Sequence, residues 1–370
     1  MLCPRCHRAF PEGETACDQH GEILVDRLLP FIKTRPTERA GVVIAERYEI
    51  QGLLGEGGSG RVYLAEDRKT QRPVAVKISD LPNAQGAATA ARFLREAEVA
   101  KIIDHPNVVD TFFTGELPDG RPLIVMEYLY GESLGSRSRR QGPLPVPVVL
   151  TVAREVAKAL GAAHREGIFH RDIKPDNVVL VGEPGNHHGV KVVDFGLAKV
   201  RAERRTSTGT TLGTVEFMAP EQCVADPSDA RTDIYGLGAV MYRTLTGQLP
   251  FEDKQLETLL AKQLVEAPLP LRHLAPTVPA LVERLVHACM RKDPAQRPEG
   301  MGVIAEELEA ILRWMTGDTP QPVILPATQS AGDGATDVYV PRGYASKLVA
   351  SALYRRLGKT PPTFIRPDLT

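Results

Sequence analysis

The run His170-Arg171-Asp172-Ile173-Lys174-Pro175-Asp176-Asn177-Val178, followed seventeen residues after Asn177 by Asp194-Phe195-Gly196, constrains this chain more than any other feature. It sets a carboxylate able to accept a hydroxyl proton, a lysine suited to phosphate charge and two oxygen ligands for a hard cation on two neighbouring loops. A fold for this chain must hold both loops on firm elements, and the surrounding periodicity says which elements those are.

Strand-like patterns begin at Tyr48 and recur at Leu53-Leu54, Val62 to Ala65, Val74 to Ile78, Val108 to Phe113 and Leu123 to Met126, with a helical stretch from about Ala87 to Ile103 between them. After Gly131 the pattern turns helical: Val146 to Glu166 leads into the Asp172 loop, and further helices are expected at Pro220 to Val224, Arg231 to Gly247, Glu257 to Glu266, Pro279 to Met290 and Met301 to Met315. A strand-rich front half joined to a helix-rich back half defines a bilobal α+β fold. The division is a cysteine-bearing head at 1–24, a linker at 25–46, a main domain at 47–314, a linker rich in proline, glycine, alanine and threonine at 315–343, a short basic amphipathic helix at 344–359 and a tail at 360–370.

A formal net charge of −1 gives no general reason to bind nucleic acid or an anionic surface. No stretch reaches the apolar length of a membrane span, and Met1 to Phe10 is cysteine-rich rather than signal-like, so a cytoplasmic protein is expected. Three of its five cysteines fall within the first seventeen residues. In a reducing compartment that clustering favours thiolate chemistry over disulfides.

Gly55, Gly57 and Gly60 lie between two strand patterns, because the element after Gly60 is Val62 to Ala65. A dinucleotide-binding turn would need a helix there, so the context favours a hairpin whose backbone amides can approach phosphate oxygens. Alternation puts Ala75 and Lys77 on one strand face. Lys77 then needs a carboxylate to hold it, and Glu96 is chosen over Glu98 because it shares a helix face with Val99 and Ile103.

These residues together resemble the protein-kinase family: Gly55 to Val62 is similar to its glycine-rich loop, Val74 to Lys77 to its third-strand lysine, His170 to Asn177 to its catalytic loop and Asp194 to Gly196 to its metal-binding triplet, with Ala219-Pro220-Glu221 completing the set. The resemblance spans roughly 48–312 and implies a kinase-like fold, with a β-rich N-lobe and a helical C-lobe. It implies an ATP- and Mg2+-dependent protein serine/threonine kinase of bacterial type acting on Ser/Thr hydroxyls of protein substrates. By it, Asp172 orients the hydroxyl proton, Lys174 neutralises charge on the transferred group, and Asn177 and Asp194 hold magnesium. Leu54, Gly55, Gly57, Gly60, Val62, Ala75, Lys77, Met126, Glu127 and Leu129 surround the nucleotide, with Met126 as gatekeeper and backbone groups of Glu127 and Leu129 on the adenine edge. Glu132 is a further candidate, for the ribose. Lys174 and Thr214 resemble the serine/threonine subclass, and Phe217 replaces the usual tyrosine.

Regulation by autophosphorylation is expected at Thr206 and Thr208, with Arg171 and Lys199 receiving the phosphate. Asp233 and Gly238 resemble the helix start that braces the catalytic loop, and Arg297 resembles the arginine that pairs with Glu221. Cys3-x2-Cys6 and Cys17-x2-His20 have the spacing of a structural Zn2+ ribbon that could dock partners; a redox dithiol at Cys3 and Cys6, or His7 in place of His20, are the alternatives. The tail, with Ala345, Val349, Leu353 and Leu357 at helical spacing, is expected to rest on its own domain. The competing class is a pseudokinase scaffold, which has no need of Lys77, Asp172, Asn177 and Asp194 together.

Overall fold

Period-two alternation builds the first of two compact units, residues 1–133 with 179–203. The computed structural model describes residues 41–57, 60–79, 98, 101–183, 186–195, 215–322, 339, 341, 349–352, 354–355 and 358. An antiparallel six-stranded sheet runs in the order β1 (Val43–Ile44), β2 (Tyr48–Gly57), β3 (Gly60–Asp67), β4 (Arg72–Ile78), β6 (Pro122–Glu127) and β5 (Thr111–Glu116). Val74, Val76 and Ile78 of β4 and Leu123 and Val125 of β6 point to one face, where they join Ile50, Tyr63 and Phe113. The intervening Ala75, Ile124 and Met126 point to the other, with Val109, Leu54, Val62, Leu129 and Val193. A one-residue slip of either strand would exchange these sets, so the register is fixed by burial. β1 lies within the stretch that composition marks as a linker; Val43 and Ile44 pair with Glu49 and Tyr48.

A second sheet, β7 (Gly131–Ser133), β8 (Val178–Glu183) and β9 (Asn186–Val192), has no counterpart in the sequence reading. It brings 179–203 back to the strand-rich unit, and a parallel bridge from Val108 to Val192 ties that return to the segment before β5.

Asp67, at the end of β3, accepts from Arg47 Nε and Nη2 at 2.7 Å each, from Thr70 Oγ1 at 2.8 Å and from the Lys69 amide at 3.0 Å. The Arg47 hydrogen bonds foremost hold its carboxyl well below the ordinary 3.8. A depressed folded-state value contributes stability that is complete above the unfolded value and lost as pH falls toward the folded one. Asp67→Asn is therefore expected to lower the melting temperature at neutral pH, and the gap to wild type is expected to close between about pH 5 and about pH 2. Melts across that range check it; a gap independent of pH would exclude the ion pair as its source.

The second unit, residues 134–178 with 204–370, is helical. It contains α1 (Leu134–Gln141), α2 (Val146–Arg165), α3 (Pro220–Cys223), α4 (Ala230–Thr246), α5 (Leu256–Val265), α6 (Leu271–Leu274), α7 (Ala280–Cys289) and α8 (Met301–Met315). The α2 helix starts after Pro145, whose fixed φ suits a helix entry, and buries Val149, Val156, Leu160 and Ala163 on one stripe. It packs against α8 and α4. α4 is buried on nearly all sides, is capped by the Asp229 carboxylate accepting from the Arg231 amide, and ends at Gly247 with φ of 73°.

Within 315–343, Tyr339 departs from the linker expectation: it is buried against α5, and 349–352 and 354–355 are helical. Ala350 and Tyr354 turn inward while Val349, expected on the apolar stripe, is exposed. No helix among the described residues is long and apolar enough to cross a membrane.

Candidate nucleotide and phosphoryl-transfer site

In the first unit the glycine hairpin is shaped by two different demands. At Gly60, with φ of 126°, a Cβ would lie 2.1 Å from the Ile78 carbonyl oxygen, so the β3–β4 contact itself requires glycine. At Gly55 and Gly57 a Cβ would meet nothing within 4 Å. Internal packing does not require glycine at those two positions, and the absence of a side chain leaves the backbone open to close approach. Below the hairpin, Leu54, Val62, Ala75, Met126 and Leu129 form one apolar surface, in which Ala75 pairs with Met126 across β4 and β6. Met126 is 9% exposed, as a residue serving both core and pocket would be. The Glu127 amide donates to the Asp110 carbonyl at 2.9 Å and its carboxylate pairs with Lys191 at 2.7 Å, which holds the strand end in place. Glu132 lies in β7.

Val62 opposes Lys77 in the β3–β4 ladder, and the Lys77 side chain is 3% exposed. Its Nζ meets Asp194 Oδ1 at 2.5 Å. The acid of the Asp194-Phe195-Gly196 triplet thus meets Lys77; Glu96, the partner expected from the sequence, lies outside the described residues, and Glu98 is exposed. Asp194 takes a positive φ of 65°, a costly conformation for a non-glycine residue that functional loops retain. Phe195 beside it is buried.

In the second unit a turn of 3-10 helix, Pro175–Asn177, ends the catalytic loop. Lys174 Nζ donates to Asp172 Oδ2 at 2.9 Å, and Asn177 Nδ2 donates to the Asp172 carbonyl at 2.8 Å and to its Oδ2 at 3.3 Å. The carboxylate therefore arrives oriented, with its cationic partner alongside, and the Asn177 amide oxygen remains as a hard donor.

A protein kinase domain model matches residues 48–308. The chain belongs to the protein kinase family. It is 34% identical to the serine/threonine-protein kinase pkn3 of Myxococcus xanthus over 74% of this chain and 51% of that one. It is 33% identical to PknB of Mycobacterium leprae over 81% and 48%, and 36% identical to PrkC of Bacillus subtilis over 74% and 41%. The chain thus spans about half the length, or less, of these relatives. Among solved structures, the Mycobacterium tuberculosis PknI kinase domain is similar at 27% identity and a TM-score of 0.59, covering 75% of this chain and 98% of that one.

The family implies ATP and magnesium; each unit carries chemistry suited to them, an ammonium at Lys77 and a carboxylate at Asp194 in the first and an amide oxygen at Asn177 in the second. Bound magnesium would neutralise phosphate charge. Lys77 fixes the direction of the Asp194 carboxylate at 2.5 Å, and Lys174 that of Asp172 at 2.9 Å.

The loop's brace is more extensive than sequence indicates. Asp233, buried in the first turn of α4, accepts from the His170 amide at 2.8 Å, from the Arg171 amide at 2.6 Å and bonds His164 Nε2 at 2.8 Å. Gly236, not Gly238, faces the catalytic loop: a Cβ there would stand 3.1 Å from Ile173 Cβ, whereas one at Gly238 would meet Cys289 and Met290 at 2.8 Å. Gln222 Nε2 donates to the Arg171 carbonyl at 2.7 Å, and Arg139 grips Asp176 at 2.8 Å. No motif signals these last two. Arg171, with φ of 63°, lies 5.6 Å from the Phe169 ring and donates from Nη2 to Ser228 at 3.3 Å; its Nε is buried with no partner among the described residues. The anchor of Ala219-Pro220-Glu221 is as expected, with Glu221 receiving Arg297 Nη1 and Nη2 at 2.8 Å each.

Cys3, Cys6, Cys17, His20, Lys199, Thr206, Thr208 and Thr214 lie outside the described residues. Among the described residues no group of three or more His, Cys, Asp or Glu side chains is arranged to hold a metal.

Proposed function

We propose that this protein is an active serine/threonine protein kinase that transfers the γ-phosphoryl group of ATP to hydroxyls of protein substrates. The observation that carries the reading is the Lys77–Asp194 pair at 2.5 Å, with Lys77 buried and Asp194 half-buried. A scaffold with no nucleotide to hold gains little from such a pair, since removing two charges from water is costly and an apolar pair of the same size would serve packing as well. Asp172 receives the hydroxyl proton, Lys174 spreads charge on the transferred group, and Asn177 with Asp194 supplies the magnesium oxygens; positioning and charge neutralisation carry the rate. Incubation of the full chain with γ-labelled ATP, magnesium and a mixed Ser/Thr/Tyr protein substrate is expected to label serine and threonine and leave tyrosine unlabelled. Label on tyrosine, or none on protein, would overturn this reading.

Activation follows the same chemistry. A phosphate on Thr206 or Thr208 adds close to two negative charges, and Arg171, whose buried Nε has no partner among the described residues, is its receptor with Lys199. The head, by its Cys3, Cys6, Cys17 and His20 spacing, holds one structural zinc and offers a docking surface to partners in the cytoplasm. One zinc per chain, lost on Cys6→Ser, is the expected metal analysis.

A further inference from the structure

The second unit contains a site that kinase chemistry does not use. α3 and α5 face each other across a groove walled by Val224, Ala261, Leu264 and Val265, and the chain's own tail fills it with Tyr339, Ala350 and Tyr354. Tyr339, seventeen positions beyond Pro322, where the continuous description of the second unit ends, is 1% exposed. Its recognition is directional as well as apolar. The hydroxyl donates to Asp226 Oδ2 at 2.6 Å, and the backbone amide donates to the Leu264 carbonyl at 2.9 Å, satisfying one of the carbonyls that the end of α5 leaves without a helical partner. Tyr354 contributes only its ring. Its hydroxyl is buried with no partner among the described residues, and burial pushes its pKa up to about 12.

The groove is coupled to the segment that precedes α3. Gln263, adjacent to Leu264 on α5, donates to the Val215 and Glu216 carbonyls at 3.2 and 3.1 Å and accepts from the Tyr235 hydroxyl at 2.6 Å. The Asp226 amide in turn bonds the Glu221 carbonyl at 2.9 Å. What sits in the groove therefore touches Asp226, at one end of 215–226, directly, and reaches Val215 and Glu216, at the other, through Leu264 and Gln263 of α5.

We propose that the α3–α5 groove is a tyrosine-reading docking site whose resident ligand is the chain's own Tyr339 with Ala350 and Tyr354, and that its occupancy positions Val215–Met218 for the protein substrate. The second half of this statement rests on the protein-kinase reading; the first half does not. Because groove and ligand belong to one chain, binding is intramolecular, and Tyr339 occupies the site in cis unless that anchor is removed.

A fluorescein-labelled peptide spanning 335–358 is the probe, titrated into the full-length chain and its full-length Tyr339→Ala variant. The variant is expected to bind the peptide at least tenfold more tightly than wild type, whose groove is occupied. In the peptide, Tyr339→Phe is expected to weaken binding roughly tenfold, the effect of one hydrogen bond to a charged acceptor, while Tyr354→Phe leaves it unchanged. Hydrogen exchange on the full-length Tyr339→Phe variant, which keeps the ring and so the fold, is expected to speed up across 256–266. For the same variant the KM for protein substrate is expected to rise severalfold with the KM for ATP unmoved. Equal peptide binding by wild type and Tyr339→Ala, no binding by either, or equal weakening by the two Phe substitutions would overturn the docking site. Binding as described without any phosphoryl transfer would leave the site standing and overturn the kinase reading instead.

Discussion

Asp172→Asn in the full-length chain is expected to lower phosphoryl transfer by about 10²- to 10⁴-fold, the usual effect of removing a group that handles the proton in the transition state. The melting temperature should hardly move, because the substitution is isosteric and the loop is held by other groups: Asp233 fixes the His170 and Arg171 amides, and Gln222 fixes the Arg171 carbonyl. ATP binding should also persist, since the Lys77–Asp194 pair lies on separate strand-derived segments. Lys77→Met is the informative companion. It leaves Asp194 without the cation that meets its Oδ1, so both nucleotide affinity and turnover should fall. Asp172→Asn with nucleotide affinity lost, or with transfer intact, would contradict the division of labour proposed for the two loops. Single-turnover transfer beside nucleotide titration separates the two effects.

Residues whose roles are set by covalent neighbours were legible in the sequence. Asp172, Lys174 and Asn177 meet because a six-residue stretch containing Pro175 leaves them few alternatives, and Ala75 and Lys77 share a face because strands alternate. Partners chosen by tertiary contact were not. Lys77 and Asp194 are 117 positions apart, and nothing local announces that β8 and β9 carry Asp194 back to the first unit, so this contact is not read from sequence; Glu96, the acid expected beside Lys77, lies outside the described residues. Gly236 and Gly238 sit two positions apart on α4, about 200° around the helix from one another. One was bound to face the catalytic loop and the other α7, but period alone does not say which. Tyr339 was hidden by averaging: a window rich in Pro, Gly, Ala and Thr reads as linker, and a single aromatic side chain that fits a finished groove leaves no periodic trace. The tail's buried face was likewise misassigned, since Val349 and Ala350 are adjacent and only contact with α5 decides between them.

Arg297→Ala is expected to be the most damaging substitution for the fold, destabilising the second unit by about 3–5 kcal/mol, the range for removing one partner of a buried ion pair. Both members are almost wholly removed from water, at 0% and 3% side-chain exposure. Glu221 would keep the Thr232 hydroxyl at 2.8 Å but lose both guanidinium bonds, leaving a carboxylate with one donor in a low-dielectric site. The arginine does more than neutralise: it also donates to the carbonyls of Arg291 and Arg231 at 2.8 Å and of Lys292 at 3.1 Å, and lies 5.0 Å from the Tyr235 ring. Arg297→Lys therefore should rescue little, because a lysine keeps the charge but not the planar fork that reaches several acceptors at once. Glu221→Gln should cost less than Arg297→Ala, since an amide still accepts one of the guanidinium hydrogen bonds. The double variant Glu221→Gln with Arg297→Ala should be more stable than the sum of the two single losses predicts, because no buried carboxylate is then left behind. Denaturant unfolding of the four proteins measures this; strict additivity would mean the pair contributes no coupling, and the anchoring of Ala219-Pro220-Glu221 would have to come from its apolar contacts alone.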